Sequence, residues 1–185
     1  MRRIKICLAA CFALSICALA LAEQPIVDLK VRRLRTMNKR TTNWATDYGS
    51  FDKDKTQQVA LELQLRNLSR KPREYKAVIS FLVIPPWGTK NTREYRVYST
   101  VETNFNLDSM GSTNHVVNSQ CMRSNRTVFA GWDQEYRSGN EFSGWVVWLF
   151  AEDEIVKVAA SSKPIELMAT ENGISAWPEI EERAP

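Results

Sequence analysis

Residues 59–66 read VALELQLR, and this stretch decides the fold class because its apolar and polar side chains alternate strictly. Val59, Leu61, Leu63 and Leu65 would point to one side of an extended chain, with the polar residues on the other. The pattern predicts a strand that buries its leucines against a core and exposes its polar face to solvent.

Seven further stretches read as strands, and turn-forming residues separate most of them. Residues 75–84 follow a polar turn at 67–72 and stop at Pro85, so we expect them to form a hairpin with the strand at 59–66. Residues 151–154 predict a second hairpin, and no window shows helical periodicity. The remaining predicted strands are residues 26–33, 95–105, 113–118, 142–150, 155–161 and 165–168.

Three segments depart from this alternation. Residues 142–150 are apolar on both faces, so this strand should lie centrally or have its outer face covered by a loop or a partner. Residues 36–56 and 121–141 show no strand character and are long for connections in a compact domain. We therefore expect two long loops, and long ordered loops are often functional.

Many short strands with one polar face predict an all-β fold, an antiparallel two-sheet sandwich of about seven to eight strands. Residues 59–67 and 75–83 resemble adjacent strands of bacterial immunoglobulin-like and fibronectin-like domains. Residues 144–162 resemble the final strands of small secreted β-sandwich proteins of unknown function. The resemblance implies an immunoglobulin-like sandwich and export, and it implies no activity. The Cys…Trp…Cys arrangement of true immunoglobulin domains is missing.

The first 22 residues have the features of a signal peptide: a basic start, an apolar run and the small residues of Ala20-Leu21-Ala22. We expect cleavage before Glu23, a sandwich domain over residues 23–170 and an acidic tail over 171–185. An alternative is a lipoprotein box at residues 8–11, which would anchor the protein through an acylated Cys11. No later segment is apolar for the roughly 20 residues that a membrane span requires.

No motif in the sequence indicates a metal site, a redox site or a cofactor site. His115 and Cys121 are the one histidine and the one cysteine beyond the leader, too few for a Cys/His zinc site or an internal disulfide. Asp47, Asp52 and Asp54 lie in the first expected loop without calcium-loop spacing, and we interpret them as solvated turn charges. No glycine-rich phosphate loop occurs, so the sequence predicts no cofactor and no metal.

A cell-wall enzyme is the weakest of the functional alternatives. Residues 119–125 faintly resemble the cysteine motif of L,D-transpeptidases, since Met122 and Arg123 match the hydrophobic residue and the arginine after the nucleophile. The His-Gly pair that should precede the cysteine is absent, and with it the base that would activate Cys121. No serine-hydrolase motif occurs either, and no carboxylate pair stands out for a glycosidase. We expect Cys121 to be a partly buried structural thiol and the protein to be no enzyme.

Aromatic residues in the expected loops suggest a ligand-binding alternative. Flat rings beside polar donors suit sugar or peptide recognition, and the competing interpretation is that the rings fold inward as lids on the sandwich. Trp145 and Trp148 lie within a predicted strand, and we expect Trp148 to be core. The candidate ligand-binding residues are Trp44, Tyr48, Trp87, Trp132 and Tyr136.

Charge limits the class of partner. The formal charge falls from +4 to +1 once Arg2, Arg3 and Lys5 leave with the leader, so a globally basic nucleic-acid binder is not supported. A basic run at residues 30–40 either blocks edge-to-edge aggregation or docks an anionic envelope polymer or protein. The sequence thus predicts an exported, non-catalytic binding or structural module with a protein or envelope-glycan partner, and carbohydrate binding is the main alternative.

Overall fold

The computed structural model describes residues 27–34, 37–45, 49–85, 94–129 and 135–180. Within these ranges the chain forms eleven strands, one α-helix and one short 3-10 helix. The elements are β1 (Val27–Arg33), β2 (Met37–Ala45), β3 (Ser50–Gln58), β4 (Ala60–Asn67), β5 (Arg73–Ile84), β6 (Arg96–Leu107), β7 (Ser112–Asn118), β8 (Met122–Phe129), β9 (Glu135–Gly139), β10 (Glu141–Ala151), β11 (Glu154–Ala160), α1 (Lys163–Asn172) and the 3-10 turn Gly173–Ala176.

The strands form three sheets, and every neighbouring pair is antiparallel. The first sheet has the order β1-β4-β7, the second β11-β10-β5-β6 and the third β2-β3-β8-β9. The predicted all-β, sandwich-like class is confirmed. The strand count exceeds the expected seven to eight because the sequence pattern does not predict the third sheet.

The alternation in β4 produces the expected core. Leu61 and Leu63 are fully buried, whereas Arg66 on the polar side is exposed. Leu63 lies between Val31 of β1 and His115 of β7, so β4 is the central strand of the first sheet. The inward side chains of the first and second sheets, among them Phe81 and Trp145, join in one hydrophobic cluster. This cluster holds the two sheets together as a sandwich.

The predicted hairpin between β4 and β5 is wrong. β4 pairs with β1 and β7, whereas β5 pairs with β6 and β10, so the chain crosses from one sheet to the other. The buried side chain of Asn67 fixes this crossing by donating to the carbonyls of Lys71 and Asp108 at 2.9 Å each. Its Oδ1 accepts hydrogen bonds from the backbone N–H of Ser69 and the hydroxyl of Tyr75. Asn67-Leu68-Ser69 matches the N-glycosylation sequon, but the buried Asn67 side chain is inaccessible in the folded protein.

The strand β10 lies centrally, as its two apolar faces predict. It pairs with β5 and β11, and the hairpin expected at 151–154 joins it to β11. Trp145 belongs to the cluster between the sheets, whereas Trp148 belongs to a second cluster on the outer side of the second sheet. Both tryptophans are buried, which confirms that they are core residues.

A helix covers that outer face, and the strand predicted at 165–168 is wrong. Pro164 lies in the first turn of α1, where its missing N–H is not needed. Ile165 and Ala169, four residues apart, are buried against β10. A four-residue apolar segment is too short to distinguish a strand from a helix by periodicity. Gly144 of β10 leaves room for α1, because a Cβ there would lie 2.6 Å from Ile165 Cδ1.

The residues that follow α1 return to the second sheet. Trp177 is buried, with its ring centroid 6.2 Å from that of Trp148. Beyond it, the Val97 N–H donates to the carbonyl of Pro178, and the Ile180 N–H donates to the carbonyl of Val97. The leader and Cys11 lie outside the described residues, as do residues 181–185 of the expected tail. In the described part of the chain, no helix is long and apolar enough to cross a bilayer.

The two long segments predicted as loops form the third sheet instead. β2 and β3 come from the first segment, and β8 and β9 come from the second. The loop prediction failed because these strands are polar on both faces and so lack the alternation that marks a half-buried strand. The third sheet extends the first one. Along the chain β1 leads into β2, β3 leads into β4 and β7 leads into β8, so the strand order is the same in both sheets.

Candidate ligand-binding surface

The third sheet contributes almost nothing to the hydrophobic interior. Among the described residues of its four strands, Met122 alone belongs to either cluster. Every described side chain of β2 is exposed. A sheet that is polar on both faces and continuous with a buried sheet is a rigid surface, and binding residues are placed precisely on such elements.

One face of this sheet carries a basic cleft of about 460 Å³. All four strands contribute to it, and Glu141 at the start of β10 closes one end. The lining includes five basic residues and two acidic ones, Glu141 and Asp54, although the side chain of Asp54 lies on the opposite face of β3. The basic residues are Arg40, Lys53, Lys55, Arg126 and Arg137.

Strand register places these cations in two adjacent rows. Lys53 is paired with Arg126 of β8, and Arg126 is paired in turn with Arg137 of β9. In the next row Arg40 is opposite Lys55. Directly opposite residues have Cβ atoms roughly 4.5–5.5 Å apart, so like charges lie side by side. The Nζ of Lys55 forms an ion pair with Oε1 of Glu141 at 2.7 Å, and the Lys55 side chain is 21% exposed.

An aromatic pair borders the cleft in the following row. Trp44 is opposite Phe51, with ring centroids 5.1 Å apart at an interplanar angle of 47°. The Nζ of Lys53 lies 4.8 Å from the centre of the Phe51 ring, so the basic and aromatic parts are in contact. Trp44 is 73% exposed. It lies in strand β2 and not in the loop that the sequence predicts.

The opposite face of the third sheet is a hydrogen-bonded polar network. Asp54 accepts hydrogen bonds from the amides of Asn43 and Asn125 at 3.3 and 2.8 Å, and Asp52 accepts one from the hydroxyl of Thr127 at 2.6 Å. Asp52 and Asp54 are therefore strand residues, and the interpretation as turn charges is wrong. The side-chain amide of Asn125 is therefore held within the sheet by its hydrogen bond to Asp54.

The candidate aromatic residues do not form one platform. Trp44 lies on the cleft face, whereas Tyr136 shares the opposite face with Thr127, and its ring makes an edge contact with Phe129. Tyr136 is also exposed, at 64%, and lies in β9. Tyr48, Trp87 and Trp132 lie outside the described residues.

His115 and Cys121 occupy separate environments. His115 on β7 makes an edge contact with the ring of Phe105, at a centroid distance of 5.6 Å. The expected burial of Cys121 is wrong, because the residue is exposed just before β8. Its carbonyl accepts a 2.8 Å hydrogen bond from the hydroxyl of Tyr98. No group of metal-ligating side chains occurs within the ranges that the structure describes.

Sequence reasoning missed most of the cleft. Of the basic run at 30–40, Arg40 lines the cleft, Lys39 faces the other side of β2 and Arg35 is outside the described residues. A signal was nevertheless present at residues 52–55, which read DKDK. This alternation places both aspartates on one face of a strand and both lysines on the other. Arg126 and Arg137 had no such signal, because only strand pairing brings them beside Lys53.

Comparison with known proteins gives a likeness of fold only. No family model matches this sequence, and no curated protein matches it. Among solved structures, a putative beta-galactosidase from Bacteroides fragilis is 10% identical, with a TM-score of 0.36. The match covers 67% of this chain and 15% of that enzyme. The chain thus spans about a seventh of the galactosidase.

Two further structures are similar at the same level. A protein from Akkermansia muciniphila is 9% identical, with a TM-score of 0.31 over 85% of this chain and 96% of that one. A beta-glucosidase from Streptomyces venezuelae, solved with D-glucose, is 10% identical, with a TM-score of 0.26. That match covers 61% of this chain and 15% of the enzyme. Function must therefore be inferred from this chain's own residues.

Proposed function

We propose that the protein is an exported, non-catalytic binding module and that the third sheet is its ligand-binding surface. The observation that carries the proposal is the cleft lined by all four strands of a sheet that contributes only Met122, among its described residues, to the hydrophobic clusters. Ordering a strand residue costs roughly 1–2 kcal/mol of backbone entropy, and apolar burial is the main force that offsets it. A large sheet with so little burial serves a surface role.

The link to the sandwich supports this role. The Leu34 N–H donates to the carbonyl of Ala60, and the Ser119 N–H donates to that of Val59, so backbone pairing runs from the first sheet toward the third. The buried leucines of β4 thereby anchor β3, the central strand that carries Lys53 and Lys55. The sandwich is the scaffold, and the polar sheet is the part that meets a ligand.

The experiment blocks the cleft with a bulky side chain and measures ligand binding, and it assumes nothing about the charge of the ligand. The purified protein is screened for saturable binding on an array of bacterial glycans and peptides, and each ligand found is measured again with Ser124→Trp, which fills the cleft. We expect at least a tenfold loss of affinity. Asn104→Trp, an exposed position on β6 of the second sheet, is the matched control and should bind normally. Equal binding by both variants, or no saturable ligand on the array, would refute the proposal.

Carbohydrate binding through aromatic residues is the second candidate, and the exposure of Trp44 favours it. Trp44 is 73% exposed beside Phe51, so a flat apolar ring is in contact with solvent. A purely structural role does not explain this exposure. Sugar rings stack on such faces through their C–H bonds while polar neighbours orient them. This candidate needs Trp44 itself, which the steric block at Ser124 does not test.

A further inference from the structure

We infer that the cleft binds an acidic polysaccharide, whose anionic groups contact the basic rows while one of its sugar rings stacks on Trp44. The inference rests on the binding function proposed above and adds the chemical class and the orientation of the ligand. Three observations carry it: the charge of the cleft, its length and the position of the aromatic pair.

The positive charge of the cleft favours an anionic ligand. Lys53, Arg126 and Arg137 are direct cross-strand neighbours, as are Arg40 and Lys55. With five basic and two acidic residues, the lining has an excess of three positive charges. Guanidinium groups bind carboxylate or sulfate oxygens with short, charge-assisted hydrogen bonds. An anionic ligand therefore complements the charge of the lining.

The distance between the basic rows and Trp44 requires a ligand larger than a single ion. The two basic rows and the Trp44 row follow one another at every second residue of β2, namely Arg40, Thr42 and Trp44. At about 3.3 Å per residue, the distance from Arg40 to Trp44 is roughly 13 Å. A ligand that contacts both basic rows and Trp44 must therefore be an extended chain with anionic groups toward the Arg40 end.

The aromatic pair distinguishes a glycan from a single-stranded nucleic acid. Nucleic-acid grooves interleave aromatic rings with cations, because successive bases stack along the whole site. Here the two basic rows contain no aromatic side chain, and Trp44 with Phe51 stands at one end. One stacked ring next to a run of anionic groups suits an acidic polysaccharide. The predicted export of the chain also favours an envelope glycan.

The test measures binding to defined polymers by calorimetry. The probes are polygalacturonate, which is carboxylated, dextran sulfate, neutral dextran, polyglutamate and oligothymidylate. We expect binding to one or both acidic polysaccharides, and their comparison identifies the anionic group. Neutral dextran should not bind, and raising the salt from about 0.05 to 0.5 M should weaken binding because it screens exposed charges.

Two sets of variants separate charge from stacking. The double variant Arg40→Gln with Lys53→Gln should lower affinity for the acidic polysaccharide at least tenfold, without a fall in its thermal midpoint. The control pair Arg32→Gln with Lys157→Gln removes the same charge from exposed positions on β1 and β11 and should bind within twofold of the wild type. Trp44→Ala should weaken polysaccharide binding but leave polyglutamate binding unchanged, since polyglutamate has no sugar ring.

Several outcomes would overturn the inference. Equal affinity of the two double variants would show that cleft charge is irrelevant. Tighter, Trp44-dependent binding of oligothymidylate would assign the cleft to nucleic acid. A neutral ligand that Ser124→Trp excludes and Arg40→Gln with Lys53→Gln retains would refute the acidic polysaccharide and leave the binding function standing. The two proposals therefore fail in distinguishable ways.

Discussion

Val59 and Ser119 are joined by two hydrogen bonds at the point where the first sheet gives way to the third. The backbone N–H of Val59 donates to the hydroxyl oxygen of Ser119 at 3.0 Å, and the backbone N–H of Ser119 donates to the carbonyl of Val59 at 2.8 Å. Both residues are buried. The serine side chain therefore replaces a strand-to-strand backbone bond at a site without solvent access.

Replacing Ser119 with alanine should leave the Val59 N–H without a partner and lower the free energy of unfolding by about 1–2 kcal/mol. Urea denaturation measures this loss. Ser112→Ala, at an exposed position of β7, is the matched control and should change stability by less than about 0.5 kcal/mol. Equal effects of the two variants would show that the paired bonds contribute nothing.

Adjacent residues of β4 test the sandwich core. Leu63→Asp places a carboxylate where the side chain is fully buried, and we expect a loss of about 4 kcal/mol or more, or no folding. Gln64→Asp, on the partly exposed face, should cost less than about 1 kcal/mol. Circular dichroism melts of both variants give the comparison. Similar melting temperatures would mean that the register of β4 is wrong.

Gly139 ends β9 where no side chain fits. Its φ is +77°, and an added Cβ would lie 2.2 Å from the carbonyl oxygen of Arg123. Gly139→Ala should therefore lower stability by about 2 kcal/mol or more in a chemical melt. Gly139→Asn separates the two causes, because asparagine tolerates positive φ but keeps the steric clash. Recovery of stability by asparagine would show that conformation alone matters.

The two environments of tryptophan predict opposite effects of truncation. Trp44→Ala should leave the thermal midpoint within about 2 °C of the wild type, because the ring is mostly exposed and loses only its contact with Phe51. Trp148→Ala should cost about 3–5 kcal/mol, because that ring is fully buried and its Nε1 donates to the carbonyl of Ala169. If Trp44→Ala were as destabilising as Trp148→Ala, the ring would be a lid and the stacking role would be abandoned.

Tyr75 should make stability fall at alkaline pH. Burial raises the pKa of Tyr75 above its ordinary value of 10.0, although the nearby Arg73 opposes the shift. Above pH 10 the unfolded chain loses this proton before the folded chain does, so the free energy of unfolding decreases as pH rises. Tyr75→Phe should reduce the slope by up to about 1.4 kcal/mol per pH unit, measured by urea titration between pH 9 and 11. The variant also loses the hydrogen bond to Asn67, so it should be less stable at neutral pH. An unchanged slope would contradict the linkage.

The sandwich could be predicted from sequence because strands such as β4 bury one face and expose the other. Leu61, Leu63 and Leu65 mark β4 by hydrophobic alternation, and this signal depends only on local spacing. Pairing could not be predicted in the same way. The turn at 67–72 looks like a hairpin loop, yet the side chain of Asn67 ties it into a crossing between sheets through contacts as distant as Asp108.

The candidate binding surface could not be predicted for a different physical reason. Its strands carry mostly polar side chains on both faces, so Lys53, Arg126 and Arg137 leave no apolar pattern along the sequence. Their cluster exists only through pairing between strands far apart in the chain. The exposed Trp44 could be singled out as a candidate, but its neighbours in space could not.

The near-absence of third-sheet residues from the interior has an evolutionary consequence. Substitutions at positions such as Arg40 or Ser124 are constrained by strand pairing and scarcely by packing, whereas Met122 must satisfy the core. Surface substitutions away from packed sites usually change stability by less than about 0.5 kcal/mol. The cleft residues can therefore vary while the leucines of β4 stay fixed, so related chains should diverge faster in the third sheet than in the sandwich core.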